Sequence, residues 1–222
     1  MILASFIKVP TPEDLFKIQP NLEGILFDMD GTLIDTEEFH ARSISKALEK
    51  NNIIFDYRDV YKLVYGKPDP VAFQEMKKMF PQWQNNVDEF LVEKEKAFRT
   101  FFEDFNSIEL VKKDLATLHL ISALKDRFPK VKRIVVTAAE RQSAQFILQT
   151  FFPDCFQSLV ARGDTQKSKP FPDPFEEGCQ RVGALSMDKS KNILAIEDSP
   201  TGIASAIAAG LNVIEAAWFK KH

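Results

Sequence analysis

Short apolar runs alternate along this chain with longer stretches in which apolar and polar residues recur at helical spacing. Leu22 to Phe27 is one such run, closed by the acids and glycine of "GILFDMDGTLIDT" at 24–36. "RIVVT" at 133–137 and "NILAI" at 192–196 are two more, with weaker candidates in "SLVA" at 158–161 and "NVIEA" at 212–216. Continuous apolar runs this short, bounded by turn residues, predict strands buried on both faces. The helical patterns cover roughly Glu37 to Lys50, Leu110 to Phe128, Glu140 to Phe151, Asp173 to Val182 and Pro200 to Ala209. Strand alternating with helix implies an α/β fold, a doubly wound parallel sheet covered on both sides. One interval departs from the rhythm. From about Glu37 to Asn106 the chain offers helices, among them "PVAFQEMKKMF" and "VDEFLVEKEKAFRTFFEDF", and no second buried strand. An all-helical insertion after the first strand accounts for it, dividing the chain into core 1–35, helical domain 36–106 and core 107–222.

Composition narrows the function classes. Hydrophobic residues make up 45% and charged residues 27% of the 222 positions, as in a folded globular protein. The formal net charge is -3 and the lysines and arginines are scattered, which leaves no basic face for nucleic acid. The 20 phenylalanines concentrate between Phe73 and Phe105 and between Phe146 and Phe156, at spacings that suit core packing. Cys155 and Cys179, the two cysteines, sit in neither a metal nor a disulfide pattern, so a reducing, cytoplasmic setting is expected. The first residues, "MILASFIKVPTPEDLF", carry acids and prolines where a secretory leader would be apolar. No stretch approaches the roughly 20 apolar residues of a membrane span. No membrane association is therefore expected, and the chain is expected to be a monomer.

Ligand sites of open parallel sheets gather beyond the carboxyl ends of the strands. After the first run stand Asp28 and Asp30, whose spacing of two can return both carboxylates to one side. After the second come Thr137, Ala138 and Ala139, leading into a helix whose free N–H groups suit an anion. After the third come Glu197 and Asp198, then "SPTG", with Ser199 as N-cap and Pro200 in the first turn. "KSKPFPDP" presents Lys169 on a proline-stiffened segment, with Lys167 as a nearby competitor. Four acids against one lysine are untenable without a cation. Hard oxygen ligands beside a phosphate are the usual setting of Mg²⁺.

"DMDGTLIDT", Thr137, Lys169 and "EDSPTG" resemble the four ordered motifs of the haloacid dehalogenase-like hydrolase superfamily. They are most similar to its branch of phosphatases and β-phosphoglucomutases, which carry a helical cap after the first motif. The resemblance spans about Gly24 to Ile214 and implies a role for each motif residue. Asp28 would attack phosphorus to form an aspartyl-phosphate. Asp30 would protonate the leaving oxygen and then take a proton from the attacking water. Thr137, with the backbone at Ala138, would hold phosphoryl oxygens, and Lys169 would neutralise charge there and on Asp28. Mg²⁺ would be held by the Asp28 carboxylate, the Asp30 carbonyl and Asp198, with Glu197 either a ligand or a support for that shell.

In the same branch a histidine placed like His40 handles substrate near the hinge; a packing role is its alternative. The loop "YGKPDP" resembles the cap loop facing the core, and Lys67 is its candidate substrate contact. Where mutases carry an arginine for a distal phosphate, this chain has Asp69. The second motif reads "VVTAAE", so Ala138 offers only backbone. No Pro-Gly turn precedes the second strand. Hinges are expected near Thr36 and at Asn106 to Ser107. The implied function is a Mg²⁺-dependent phosphatase of small phosphorylated metabolites. A phosphosugar mutase is the alternative enzyme, and a non-catalytic phosphate-binding module the alternative from another class.

Overall fold

Six strands, all parallel, form one sheet in the order β1-β6-β5-β2-β3-β4: β1 Ile2–Phe6, β2 Gly24–Phe27, β3 Lys132–Val136, β4 Ser158–Val160, β5 Ile193–Glu197 and β6 Asn212–Ala216. The computed structural model describes residues 1–64, 67, 69–103, 116–184 and 191–219. Five strands fall on the expected runs to within two residues at either end. The four central ones are apolar because helices cover both faces; β2 and β5 are buried at every position. β1 was not foreseen. It lies at the sheet edge beside β6, and its residues are exposed or only partly buried, so "ILASF" lacks the burial of a central strand.

α1 (Pro12–Ile18) was equally unread, although "TPED" signals it. Thr11 caps the Asp14 N–H, the Asp14 carboxylate takes the Thr11 N–H in return, and Pro12 opens the helix. The remaining described helices are α2 Glu37–Glu49, α3 Tyr57–Val64, α4 Asp69–Met79, α5 Val87–Glu103, α6 Ala116–Arg127, α7 Arg141–Phe151, α8 Asp173–Val182 and α9 Pro200–Ala208.

The chain divides into two compact units, one of Met1–Asp35 with Asp114–His222 and the other Thr36–Lys113. The first holds the sheet, with α1, α6, α7, α8 and α9. Its core packs Leu26, Ile134, Val136, Phe175, Ile193, Ala195 and Val213. The second holds α2 to α5 around Ile44, Leu48, Phe73, Met76, Trp83 and Phe90, with the Trp83 ring 5.3 Å from Phe73 and 5.6 Å from Phe90. Most described phenylalanines pack as expected, whereas Phe146 and Phe171 lie exposed. The expected 106/107 boundary, the Asn106–Ser107 hinge and the start of the helix expected from Leu110 lie outside the described residues. At the other expected hinge, Thr36 precedes α2 without capping it through its side chain. Among the described residues no helix is long and apolar enough to cross a membrane.

The chain runs outward from β2 through β3 to β4, then crosses back to β5 on the other side of β2. The carboxyl end of β2 is therefore the point where strand order reverses, the place at which open parallel sheets bind their ligands. In register, Phe27 stands beside both Val135 and Ile196, so Asp28, Val136 and Glu197 follow at one level.

Candidate active site

Each strand end delivers one part of the site. Beyond β2 the chain turns sharply: the Met29 carbonyl accepts from the N–H groups of Thr32 (3.3 Å), Leu33 (2.8 Å) and Ile34 (3.2 Å), while the Gly31 N–H returns to Ile34 (2.8 Å). Gly31 has φ +82°, and any Cβ there would overlap the Asp198 carboxylate. Glycine is thus required twice over, by the turn and by the closeness of Asp198.

Lys169 joins the strand ends. Its ammonium donates to Asp28 Oδ1 (2.6 Å), Glu197 Oε1 (2.7 Å) and the Val136 carbonyl (2.9 Å), so all three protons are used. Its side chain is 7% exposed. Its loop is tied to α9 where Ser205 Oγ donates to the Phe171 carbonyl (2.5 Å). Lys167, the rival in sequence, lies instead over the Phe171 ring.

Glu197 is fully buried, and protein donors take both its oxygens. Lys169 binds Oε1; the Ser199 N–H and hydroxyl bind Oε2, each at 2.9 Å. Ser199 also caps α9 by accepting from the Gly202 N–H (3.0 Å), as "SPTG" predicted. Asp198 receives the Thr32 hydroxyl on Oδ1 (3.2 Å). Carboxylate oxygens of Asp28, Glu197 and Asp198 all lie within 4.8 Å of one another.

Such crowding shifts the acids. Burial pushes Asp28 well above the carboxylate range; Glu197, Asp198 and Asp30 add to this, against the pull of Lys169. Asp198 is pushed up to about 7, again first by burial and then by Glu197. Burial alone would lower Lys169, but the Asp28 and Glu197 carboxylates outweigh it and raise it, keeping the lysine charged. Hard oxygen donors carrying more negative charge than one lysine neutralises fit a divalent cation such as Mg²⁺. With Glu197 bound on both oxygens by protein donors, the open donors of that set are Asp28 and Asp198.

On the β3 side, Thr137 is buried; its hydroxyl accepts from the Ala139 N–H (3.0 Å) and reaches Asp30 Oδ2 at 3.5 Å. The Ala138 carbonyl is turned away, accepting from Arg162 Nε (2.9 Å). Among the described residues no protein acceptor takes the Ala138 N–H. The structure therefore brings together Asp28, Asp30, Thr137, Ala138, Lys169, Glu197 and Asp198.

His40 and Lys67 belong to the helical unit. The His40 ring stacks on Phe98 at 4.5 Å, and Lys67 is exposed, its N–H donating to the Val64 carbonyl (2.9 Å). Asp69 opens α4 and pairs with Lys94, a lysine buried on α5 that the sequence analysis did not single out. Thr32 and Trp218 were also missed. Thr32 lay inside the quoted first motif, but nothing in one sequence tells that its side chain reaches Asp198 or that the Trp218 indole reaches its carbonyl.

The family model described as haloacid dehalogenase-like hydrolase matches residues 22–210. The (DL)-glycerol-3-phosphatase 1 of Arabidopsis thaliana is 29% identical over 87% of this chain and 63% of that protein. The fructose-1-phosphate phosphatase YqaB of Escherichia coli (strain K12) is 27% identical over 86% of this chain and 95% of that protein. A HAD hydrolase of family IA, variant 3, from Entamoeba histolytica shares the fold, with TM-score 0.68, 23% identity and coverage of 90% of this chain and 86% of the other.

Proposed function

The chain belongs to the haloacid dehalogenase-like hydrolase family, and from that premise we propose that it is a phosphatase of small phosphorylated metabolites with Asp28 as nucleophile. The observation that carries this reading is the grip of Lys169 on Asp28 and Glu197 at the reversal point of the sheet. It makes one carboxylate both buried and oriented. The phosphatase names of two relatives that match most of this chain support the reaction class.

Lys169 occupies Asp28 Oδ1, which leaves Oδ2 to attack. As the Oδ2–P bond forms, the bond from phosphorus to the leaving oxygen breaks, and Asp30 gives that oxygen its proton. Asp30, now a carboxylate, then takes a proton from the water that hydrolyses the aspartyl-phosphate, releasing phosphate and regenerating Asp28. The Thr137 hydroxyl and the Ala138 N–H hold phosphoryl oxygens, and Lys169 offsets the charge that Asp28 shares with them. Mg²⁺, held by the Asp28 carboxylate, the Asp30 carbonyl and Asp198, would supply further neutralisation of the phosphoryl group. Glu197 keeps Lys169 and the start of α9 in place.

The helical unit, taken as a cap over 36–106, is proposed to select the substrate, with His40 and Lys67 as contacts. Free cysteines at 155 and 179 support a cytoplasmic setting. The experiment is free-phosphate release from sugar phosphates, glycerol phosphates, phosphoglycolate, nucleotides and an aryl phosphate, with and without Mg²⁺, for wild type and Asp28→Asn. Release that requires Mg²⁺ and vanishes in Asp28→Asn is expected. Phosphate transfer that needs a bisphosphate primer and releases little free phosphate would replace the phosphatase by a mutase. Tight phosphate binding without turnover would replace both by a binding module.

A further inference from the structure

The turn that carries Asp30 is held from an unexpected direction. Thr32 is wholly buried, and its carbonyl accepts from Trp218 Nε1 at 3.0 Å. Trp218 stands two residues beyond β6, and the residue before it is pinned to β1 by the Ala217 N–H on the Phe6 carbonyl (2.8 Å). The neighbouring carbonyl of Leu33 is held by the Thr117 hydroxyl (2.5 Å). The same turn touches Asp198 in two ways, through the Thr32 hydroxyl on Oδ1 and through Gly31, whose missing side chain is what lets the carboxylate approach.

A buried carbonyl deprived of its donor must find another partner or move. Thr32 has little room to do so, because its own N–H and hydroxyl are already committed, and any shift of the turn carries Asp30 and Asp198 with it. We infer that Trp218 is a positioning residue of the active site, whose indole N–H fixes the 29–34 turn and thereby sets the affinity of the Asp28, Asp30 and Asp198 donors for a divalent cation. The inference rests on the reading of these donors as a Mg²⁺ site. Groups that orient metal ligands from behind cost tenfold or more in affinity when removed.

The test is isothermal calorimetry of Mg²⁺ binding to the full chain, with melting midpoints measured in parallel. Wild type is compared with Trp218→Phe, which keeps an aromatic ring and loses the donor, and with Trp218→His, which keeps a ring N–H. Trp218→Phe is expected to weaken Mg²⁺ binding about tenfold, with Trp218→His recovering most of it. Wild-type affinity in Trp218→Phe would overturn the inference. So would equal weakening in both variants alongside a common fall in melting midpoint, which would make the indole a packing residue only. Should Trp218→Phe not fold, Trp218→His carries the comparison, and the wild-type tryptophan emission is followed through the same titration. A change absent from Trp218→His supports the inference, and no change overturns it. Absence of any Mg²⁺ binding by wild type would remove the metal reading itself, a failure seen without any variant.

Discussion

Alanine at Gly202 gives the sharpest test of how the site is built, because two physical effects predict opposite signs. Gly202 lies inside α9, where replacing glycine by alanine ordinarily stabilises by about 1 kcal/mol. Here a Cβ would overlap the Glu197 carboxylate. That carboxylate cannot step aside cheaply, since it is buried and holds Lys169 on one oxygen and Ser199 on the other. Displacing it amounts to breaking a buried ion pair, a loss of about 3–5 kcal/mol. The steric effect wins, and Gly202→Ala is expected to destabilise by about 2–4 kcal/mol, which for a chain of this size lowers the melting midpoint by about 5–15 °C. A misplaced Lys169 would also slow phosphate release by about 100-fold. Thermal melts followed by circular dichroism, with phosphate release assayed well below the midpoint, provide the check. A Gly202→Ala protein as stable as wild type would refute the claim that Glu197 is pinned.

Three further outcomes follow from the same structure. Mg²⁺ at ten times its dissociation constant should stabilise wild type by about 1.4 kcal/mol and raise its midpoint by about 3–6 °C. Asp198→Ala should lose that rise, and an unchanged wild-type midpoint at saturating Mg²⁺ would sink the cation assignment. Burial, with Glu176 adding, pushes the Cys179 thiol up to about 11, against 9.0 unperturbed. A raised thiol pKa in the folded state has no effect on stability at neutral pH and costs stability as the pH climbs from about 9 toward 11. At pH 8, native Cys179 should react far more slowly with an aromatic disulfide reagent than it does in urea, and equal rates would contradict its burial. In the helical unit, Asp69→Ala leaves Lys94, 4% exposed, without its carboxylate. It should destabilise that unit by about 3 kcal/mol, as read by hydrogen exchange in α4 and α5, and unaltered protection there would show the pair to be dispensable.

Much of the fold was legible because its strands are buried on both faces. β2, β3 and β5 announce themselves as apolar runs, and the residues that follow them are the ones the structure gathers at the candidate site. The same logic hid β1: an edge strand needs no continuous apolar run, so "ILASF" carries no signal that sets it apart as a strand. α1 was readable from its capping box in "TPED" and was passed over. Lys169 over Lys167 was legible from its place before the prolines, since the neighbouring backbone fixes which lysine turns inward.

The order of elements and the residue types at each strand end could be read from the chain, because burial period and motif spacing are local properties. How those residues meet was set by the folded chain. It assigned both Glu197 oxygens to Lys169 and Ser199, made Gly31 and Gly202 the spaces that two carboxylates occupy, paired Lys94 with Asp69, and brought Trp218 from beyond the last strand to the Thr32 carbonyl. Each of these joins positions distant in the chain or depends on a side-chain direction. A hydrogen bond between residues 186 positions apart leaves no periodic trace, only a geometry that exists once the sheet has formed.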